Sequence, residues 1–186
     1  MSNIVMVTGG ARSGKSSYAE KLCKAQKNNV AYIATSIPFD EGMKDRIKKH
    51  QEMRPKNWTT YEVYEDIYKF IKEIEKNNQT VILDCVTLLI NNLMFKFDID
   101  YETCSRNEVD EIEKYIQNQV KLLIEEMKKT NLYVVIVTNE IGMSIVPDNR
   151  LSRIYTDIAG RINQYIARES DEVYFVVSSI PMKIKG

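Results

Sequence analysis

Histidine occurs once in this 186-residue chain, tryptophan once, proline four times and cysteine three times. Each scarcity excludes something. The three cysteines, Cys23, Cys85 and Cys104, are odd in number and lack metal-type spacing, so they read as reduced thiols in a cytoplasmic protein. Net charge is missing as well: 26 basic residues balance 26 acidic ones. No basic excess would follow a nucleic-acid backbone, and no like-charge run suggests an interaction tail. Nothing approaches the roughly 20 apolar residues of a membrane span. The five-residue run Ile4-Val5-Met6-Val7-Thr8, followed by glycines and Arg12, is too short for a signal peptide. Repeats, low-complexity segments and linkers are also absent. Residues 1–186 therefore read as one domain, large enough to bury about 70% of its unfolded surface.

What is present begins at once. Residues 9–16 read Gly-Gly-Ala-Arg-Ser-Gly-Lys-Ser, a G-x-x-x-x-G-K-S phosphate loop. An apolar strand-like run precedes it and a helical pattern, Ser17 to Lys27, follows. Glycines let the backbone curl until successive N–H groups converge on an anion, and the helix N-terminus adds partial positive charge. Lys15 would reach the β- and γ-phosphates, and the Ser16 hydroxyl would ligate Mg²⁺. A Gly-rich turn that binds nothing is the bland alternative. The flanks favour the loop, which predicts binding of a nucleoside triphosphate.

Further along, short apolar runs alternate with helical patterns, the signature of a parallel sheet with crossover helices. Strands are expected at 3–8, 30–35, 80–84, 132–138 and 172–178, with a short antiparallel edge strand at 182–185. Residues 65–76 place Ile67, Phe70, Ile71 and Ile74 on one helical face. Residues 107–129 do the same with Val109, Ile112, Ile116, Val120, Leu123 and Met127, and Ser105 with Glu108 forms a capping box. These stripes are core, or in part the surface for a partner helix. The expected fold is α/β: a mainly parallel twisted sheet with helices on both faces.

In open α/β sheets, ligands lie outside the carboxyl ends of the strands. After the phosphate loop, the next such end is Ala34-Thr35-Ser36, small and hydroxylated, suited to close approach by a nucleotide. Val81-Ile82-Leu83-Asp84 is a Walker-B pattern, whose carboxylate holds Mg²⁺ directly or through water. Strands also end in Asp as a turn former. Val137-Thr138-Asn139-Glu140 could orient water or substrate, or cap a helix.

The segment 40–55 holds the one histidine, His50, with Met43 and Ile47 at helical spacing before it. Arg46 lies one turn before and Arg54 one turn after. Two guanidiniums disfavour a charged imidazole, which keeps it available as a nucleophile. A half-buried structural histidine fits the pattern alone better, because a lone His specifies no covalent chemistry.

Several stretches in colinear order carry a resemblance: VTGGARSGKS (7–16), YIATS (32–36), the Arg46–Trp58 segment, VTNEIGMSIVPDNRLSR (137–153), DIAGRINQ (157–164) and DEVYFVVSSIPMKIK (171–185). Together they resemble the bifunctional adenosylcobinamide kinase/adenosylcobinamide-phosphate guanylyltransferases of cobalamin biosynthesis. The resemblance implies a RecA-like P-loop NTPase fold, a homotrimer and two reactions. The first phosphorylates the aminopropanol hydroxyl of adenosylcobinamide with ATP or GTP. The second moves GMP from GTP onto that phosphate through a guanylylated histidine, here His50, giving adenosylcobinamide-GDP and pyrophosphate. For nucleotide contacts it implies Gly9, Gly10, Ala11, Arg12, Ser13, Gly14, Lys15 and Ser16, then Ala34, Thr35 and Ser36, then Gln51, Glu52, Met53 and Arg54, with Glu62 and Asp84. Mg²⁺ would sit on Ser16 and Asp84, and a Glu62 carboxylate could accept from guanine N1–H and N2–H₂. An exposed strand-edge acid is the plainer reading of Glu62.

Three positions depart from the pattern. Lys49 stands where some relatives carry a second histidine, Ser179 where glycine is frequent, and Asp84 where glutamate is common. Residues 95–108 match weakly and read as a lid or a trimer contact. Competing functions are a kinase without the transferase step and a RecA-like nucleotide-driven switch or motor; zero net charge disfavours the motor.

Overall fold

Unbroken Val/Ile/Tyr runs suit strands covered on both faces, and that is where this chain uses them. The computed structural model describes residues 2–37, 41–42 and 55–186. The strands are β1 (Asn3–Gly9), β2 (Val30–Ala34), β3 (Thr59–Glu62), β4 (Thr80–Asp84), β5 (Tyr133–Val137), β6 (Glu172–Val177) and β7 (Ile180–Lys185). They form one sheet in the order β3-β2-β4-β5-β1-β6-β7. Every pairing is parallel except β6 with β7. The helices are α1 (Lys15–Ala25), α2 (Ile71–Asn77, entered through a 3₁₀ turn at Ile67–Phe70), α3 (Val86–Met94), α4 (Arg106–Lys128) and α5 (Arg150–Glu169).

Side chains alternate across the sheet, so each central strand feeds two cores. Ile4, Met6, Ile33, Leu83, Val134 and Ile136 pack with α2 to α5 on one face. Val5, Val7, Tyr32, Ile82, Val135 and Val137 pack with α1, Trp58 and Tyr174 on the other. Helices thus lie on both faces, as the alternating pattern predicts. Among the described residues no helix is long and apolar enough to cross a membrane.

The α4 capping box forms as expected. The Glu108 N–H donates to Ser105 Oγ at 3.3 Å, and the Ser105 N–H donates to Glu108 Oε2 at 2.8 Å. Ile112, Ile116, Val120, Leu123 and Met127 are buried along its stripe, while Val109 is only half-buried. Phe70 departs from the expected face and is 38% exposed. It stands where the 3₁₀ turn gives way to α2, and the change in residues per turn breaks the stripe there.

Three elements go beyond the sequence expectation. Strand β3 reads Thr-Thr-Tyr-Glu and lies largely exposed on the sheet edge, so no apolar run marks it. Helix α3 is buried nearly all round and shows no polar face. Helix α5 carries Ile154, Ile158, Ile162 and Ile166 at a regular spacing of four, and Asn149 caps it by accepting from the Ser152 N–H at 2.7 Å.

The β6–β7 hairpin turns through Ser178 and Ser179, both at positive φ (50° and 66°). A two-residue hairpin with both residues in this region favours Asn-Gly over side chains such as serine. Ser179→Gly should therefore stabilise the protein by about 1 kcal/mol, raising Tm by about 2–4 °C in a thermal melt.

Candidate active site

The phosphate loop owes its shape to two close approaches. At Gly9 an added Cβ would meet the Val176 carbonyl at 2.5 Å. At Gly14, with φ +91°, it would meet Ser179 Oγ at 2.6 Å. The hairpin turn thus rests on the loop, and the Ser179 N–H donates to the Ser13 carbonyl at 2.7 Å. Within the curl, the Ser13 N–H donates to the Gly10 carbonyl at 3.2 Å. Gly10, Ala11 and Arg12 are exposed at the rim.

Lys15 opens α1 and is buried, with its ammonium donating to the Gly10 carbonyl at 3.1 Å. Gly14 caps α1 without a side-chain hydrogen bond, and the first turn holds no acidic residue. The leading N–H groups of α1 are therefore available to an anion. Thr8 Oγ1 and Ser13 Oγ are buried and have no partner among the described residues. Leaving such groups unmet costs about 1–3 kcal/mol each, which marks the loop as built for a polar ligand.

Parallel register brings the other strand ends alongside. Val7 pairs with Val137, Val137 with Asp84, Asp84 with Ala34, and Ala34 with Glu62. Strand β5 lies between the loop strand and the Asp84 strand, so β1 and β4 are two spacings apart, about 9.5 Å. Asp84 Oδ2 accepts from the Tyr32 hydroxyl at 2.8 Å. Burial first, then the Asp84 charge, push the Cys85 thiol up, while the Thr87 hydrogen bond and the Lys15 ammonium oppose. Lys15 and Asp84 therefore act on the same buried spot between the strand ends.

Thr35 is a strut. Its N–H donates to the Asp84 carbonyl at 3.3 Å, and its own carbonyl accepts from Asn92 Nδ2 at 2.5 Å. Its hydroxyl donates to the Cys85 carbonyl at 2.7 Å and accepts from the Cys85 N–H at 2.9 Å. The side chain ties β2 to β4, between Ala34 and Ser36. Glu62 ends the exposed edge strand level with Ala34.

At the β5 end the polar residues do not cap a helix. The Thr138 hydroxyl donates to Asn163 Oδ1 at 2.7 Å, and Asn139 Nδ2 donates to the Thr87 hydroxyl at 2.6 Å. The Glu140 N–H donates to the Gly9 carbonyl at 3.0 Å, fastening this segment to the phosphate loop.

His50 and its neighbours Gln51, Glu52, Met53 and Arg54 lie outside the described residues, as does Arg46. Tyr32 and Asn92 were not legible as site residues. Tyr32 reads as strand core, and Asn92 sits in a helix without a polar face. The one available signal is the asparagine pair Asn91-Asn92 inside the apolar run VTLLINNLM. No three His, Cys, Asp or Glu side chains among the described residues form a metal cage. A cation here would rest on the Ser16 hydroxyl, the Asp84 carboxylate and nucleotide oxygens. Such a partial oxygen set suits Mg²⁺, which keeps waters and phosphates as ligands.

A glycine-rich loop between β1 and α1, with a carboxylate at the end of a strand one place removed, defines a P-loop nucleotide-binding α/β domain. The fold agrees with that of a KaiC-like protein from the archaeon Pyrococcus horikoshii, at TM-score 0.52 and 12% identity, covering 93% of this chain and 70% of that one.

Sequence comparison narrows the class. The family model described as cobinamide kinase / cobinamide phosphate guanyltransferase matches residues 5–184, and the chain belongs to that family. It is 41% identical over 182 residues to the bifunctional adenosylcobalamin biosynthesis protein CobU of Escherichia coli, covering 98% of this chain and 99% of that protein. Identity to the Salmonella typhimurium CobU is 40% over the same shares. The CobP protein of Pseudomonas aeruginosa is 32% identical, covering 97% of this chain and 96% of that protein.

Proposed function

We propose that this chain phosphorylates the aminopropanol hydroxyl of adenosylcobinamide with ATP or GTP, then converts the product to adenosylcobinamide-GDP. The observation that carries this reading is a family match running from residue 5 to residue 184 over a fully formed phosphate loop. In the first step the hydroxyl oxygen attacks the γ-phosphorus, the bond to the β-phosphate oxygen breaks, and the hydroxyl proton passes to solvent. The loop N–H groups from Gly9 to Ser16 and the Lys15 ammonium hold the triphosphate. Ser16 and Asp84 would hold Mg²⁺, which would supply charge neutralisation to the triphosphate.

In the second step neutral His50 attacks the α-phosphorus of GTP and pyrophosphate leaves. A phosphate oxygen of adenosylcobinamide phosphate then displaces the imidazole, breaking the P–N bond. Arg46 and Arg54, four residues to either side of His50 in the sequence, offer positive charge to the phosphate oxygens. Gln51, Glu52 and Met53 with Ala34, Thr35 and Ser36 flank the nucleotide, and Glu62 reads guanine. The enzyme works in the cytoplasm, where ATP and GTP are at hand, as a homotrimer.

Incubation with α-labelled GTP tests the transferase half. Acid-labile, alkali-stable label on His50 supports it, and unlabelled protein that still phosphorylates adenosylcobinamide reduces the enzyme to a kinase. The Asp84 role is tested separately. Tyr32→Phe keeps ring volume but releases the carboxylate, so Mn²⁺ binding in the presence of nucleotide, followed by electron spin resonance, should weaken about tenfold. Asp84→Asn should weaken it further. Equal binding in all three proteins would remove Asp84 from the metal site.

A further inference from the structure

Helix α5 contains a glycine, Gly160, as its eleventh residue. Glycine inside a helix is destabilising relative to alanine, so its presence calls for a close neighbour. The described chain provides none: a Cβ built at Gly160 meets no atom within 4 Å. Gly160 instead lines an open groove of about 420 Å³, within the size range of small-molecule sites.

The two walls of this groove differ in chemistry. One is the loop after β5, where Ile145 is 93% exposed and Val146 73% exposed, with Ile141 behind them. The other is α5, presenting Thr156, Asp157 and Gln164. The apolar wall is held in place, because Arg153 Nη1 donates to the Pro147 and Asp148 carbonyls at 2.9 and 2.5 Å. Two hydrogen bonds link the groove to the phosphate loop. Gly142, one of its lining residues, donates its N–H to Glu140 Oε1 at 2.7 Å, and the Glu140 N–H donates to the Gly9 carbonyl.

We infer that this groove seats the rim of the corrinoid acceptor, an assignment that rests on the proposed function. A corrin offers a broad apolar face edged by carboxamides. The exposed isoleucine and valine match the face, and the hydroxyl, carboxylate and amide of α5 match the donors and acceptors of the rim. The missing side chain at residue 160 lets the macrocycle lie against the helix. Seated there, the acceptor is two residues from the segment bonded to Gly9, beyond the end of the strand that lies between β1 and β4.

Gly160→Leu tests the assignment, because its side chain projects from a position where a Cβ meets no described atom within 4 Å and whose residue lines the groove. Full-length protein carrying it should show a KM for adenosylcobinamide raised at least tenfold. Its KM for ATP and its guanylylation by GTP, which needs no corrinoid, should stay within twofold of wild type. Gly160→Ala should melt higher than wild type, since helix propensity improves, while still weakening adenosylcobinamide binding in equilibrium dialysis. An unchanged KM for adenosylcobinamide in Gly160→Leu overturns the assignment. So does a changed sedimentation coefficient with unchanged corrinoid affinity, which would place a second copy of the chain on this face. Loss of guanylylation alongside corrinoid binding overturns it too, by making the groove part of the nucleotide site. Wild-type protein that fails to phosphorylate adenosylcobinamide removes the proposed function first, which separates the two failures.

Discussion

Lys15→Ala should lower both adenosylcobinamide phosphorylation and His50 guanylylation by about 10²- to 10³-fold, the usual loss when one preorganised charge is removed from a developing anion. The physical basis is the position of the ammonium. It is buried, with its nitrogen on the Gly10 carbonyl, inside the curl that the loop N–H groups line. Both reactions break a bond to a bridging oxygen of the triphosphate, so both place new negative charge within that curl. Lys15→Arg should not restore activity, since a planar guanidinium does not reproduce a compact ammonium at a site this enclosed. Single-turnover assays with γ-labelled ATP and α-labelled GTP read the two steps separately. Survival of either step at the wild-type rate would show that it uses a different cradle.

His50→Ala should separate the activities. Guanylyl transfer should fall by about 10⁴-fold or more, because removing a covalent nucleophile leaves only binding and electrostatic assistance. Phosphoryl transfer from ATP should stay within about threefold, since the acceptor hydroxyl attacks the γ-phosphorus without the imidazole. Equal loss of both steps would make His50 a shared or structural residue. His50→Asn is a useful companion, because it keeps a polar side chain of similar reach but forms no phosphoramidate. If it transfers GMP at the wild-type rate, covalent catalysis by this residue is excluded.

The local chemistry of the site was legible and its cross-chain supports were not. Lys15 and Ser16 could be proposed because eight contiguous residues carry the whole phosphate-loop pattern. Asp84 could be proposed because an apolar strand ending in a carboxylate is a local pattern. Its orienting partner Tyr32 could not, being 52 residues away and outwardly an ordinary strand residue. Thr35 illustrates the same limit from the other side. Its composition suits nucleotide contact, yet its hydroxyl joins two strand ends. Glu62 belongs to an edge strand too polar to announce itself, and α3 is too uniformly buried to show a helical period.

Sequence alone determined the phosphate loop, the β/α alternation and the capped, striped helix at 106–128, because each depends on neighbours within a turn or a strand. Tertiary structure alone decided that β5 separates the loop strand from the Asp84 strand, that the Ser178–Ser179 turn rests on Gly14, and that a bare helix face at Gly160 borders an open groove. Those contacts join distant segments through strand order and register, and no periodicity of residues along the chain encodes which strands become neighbours.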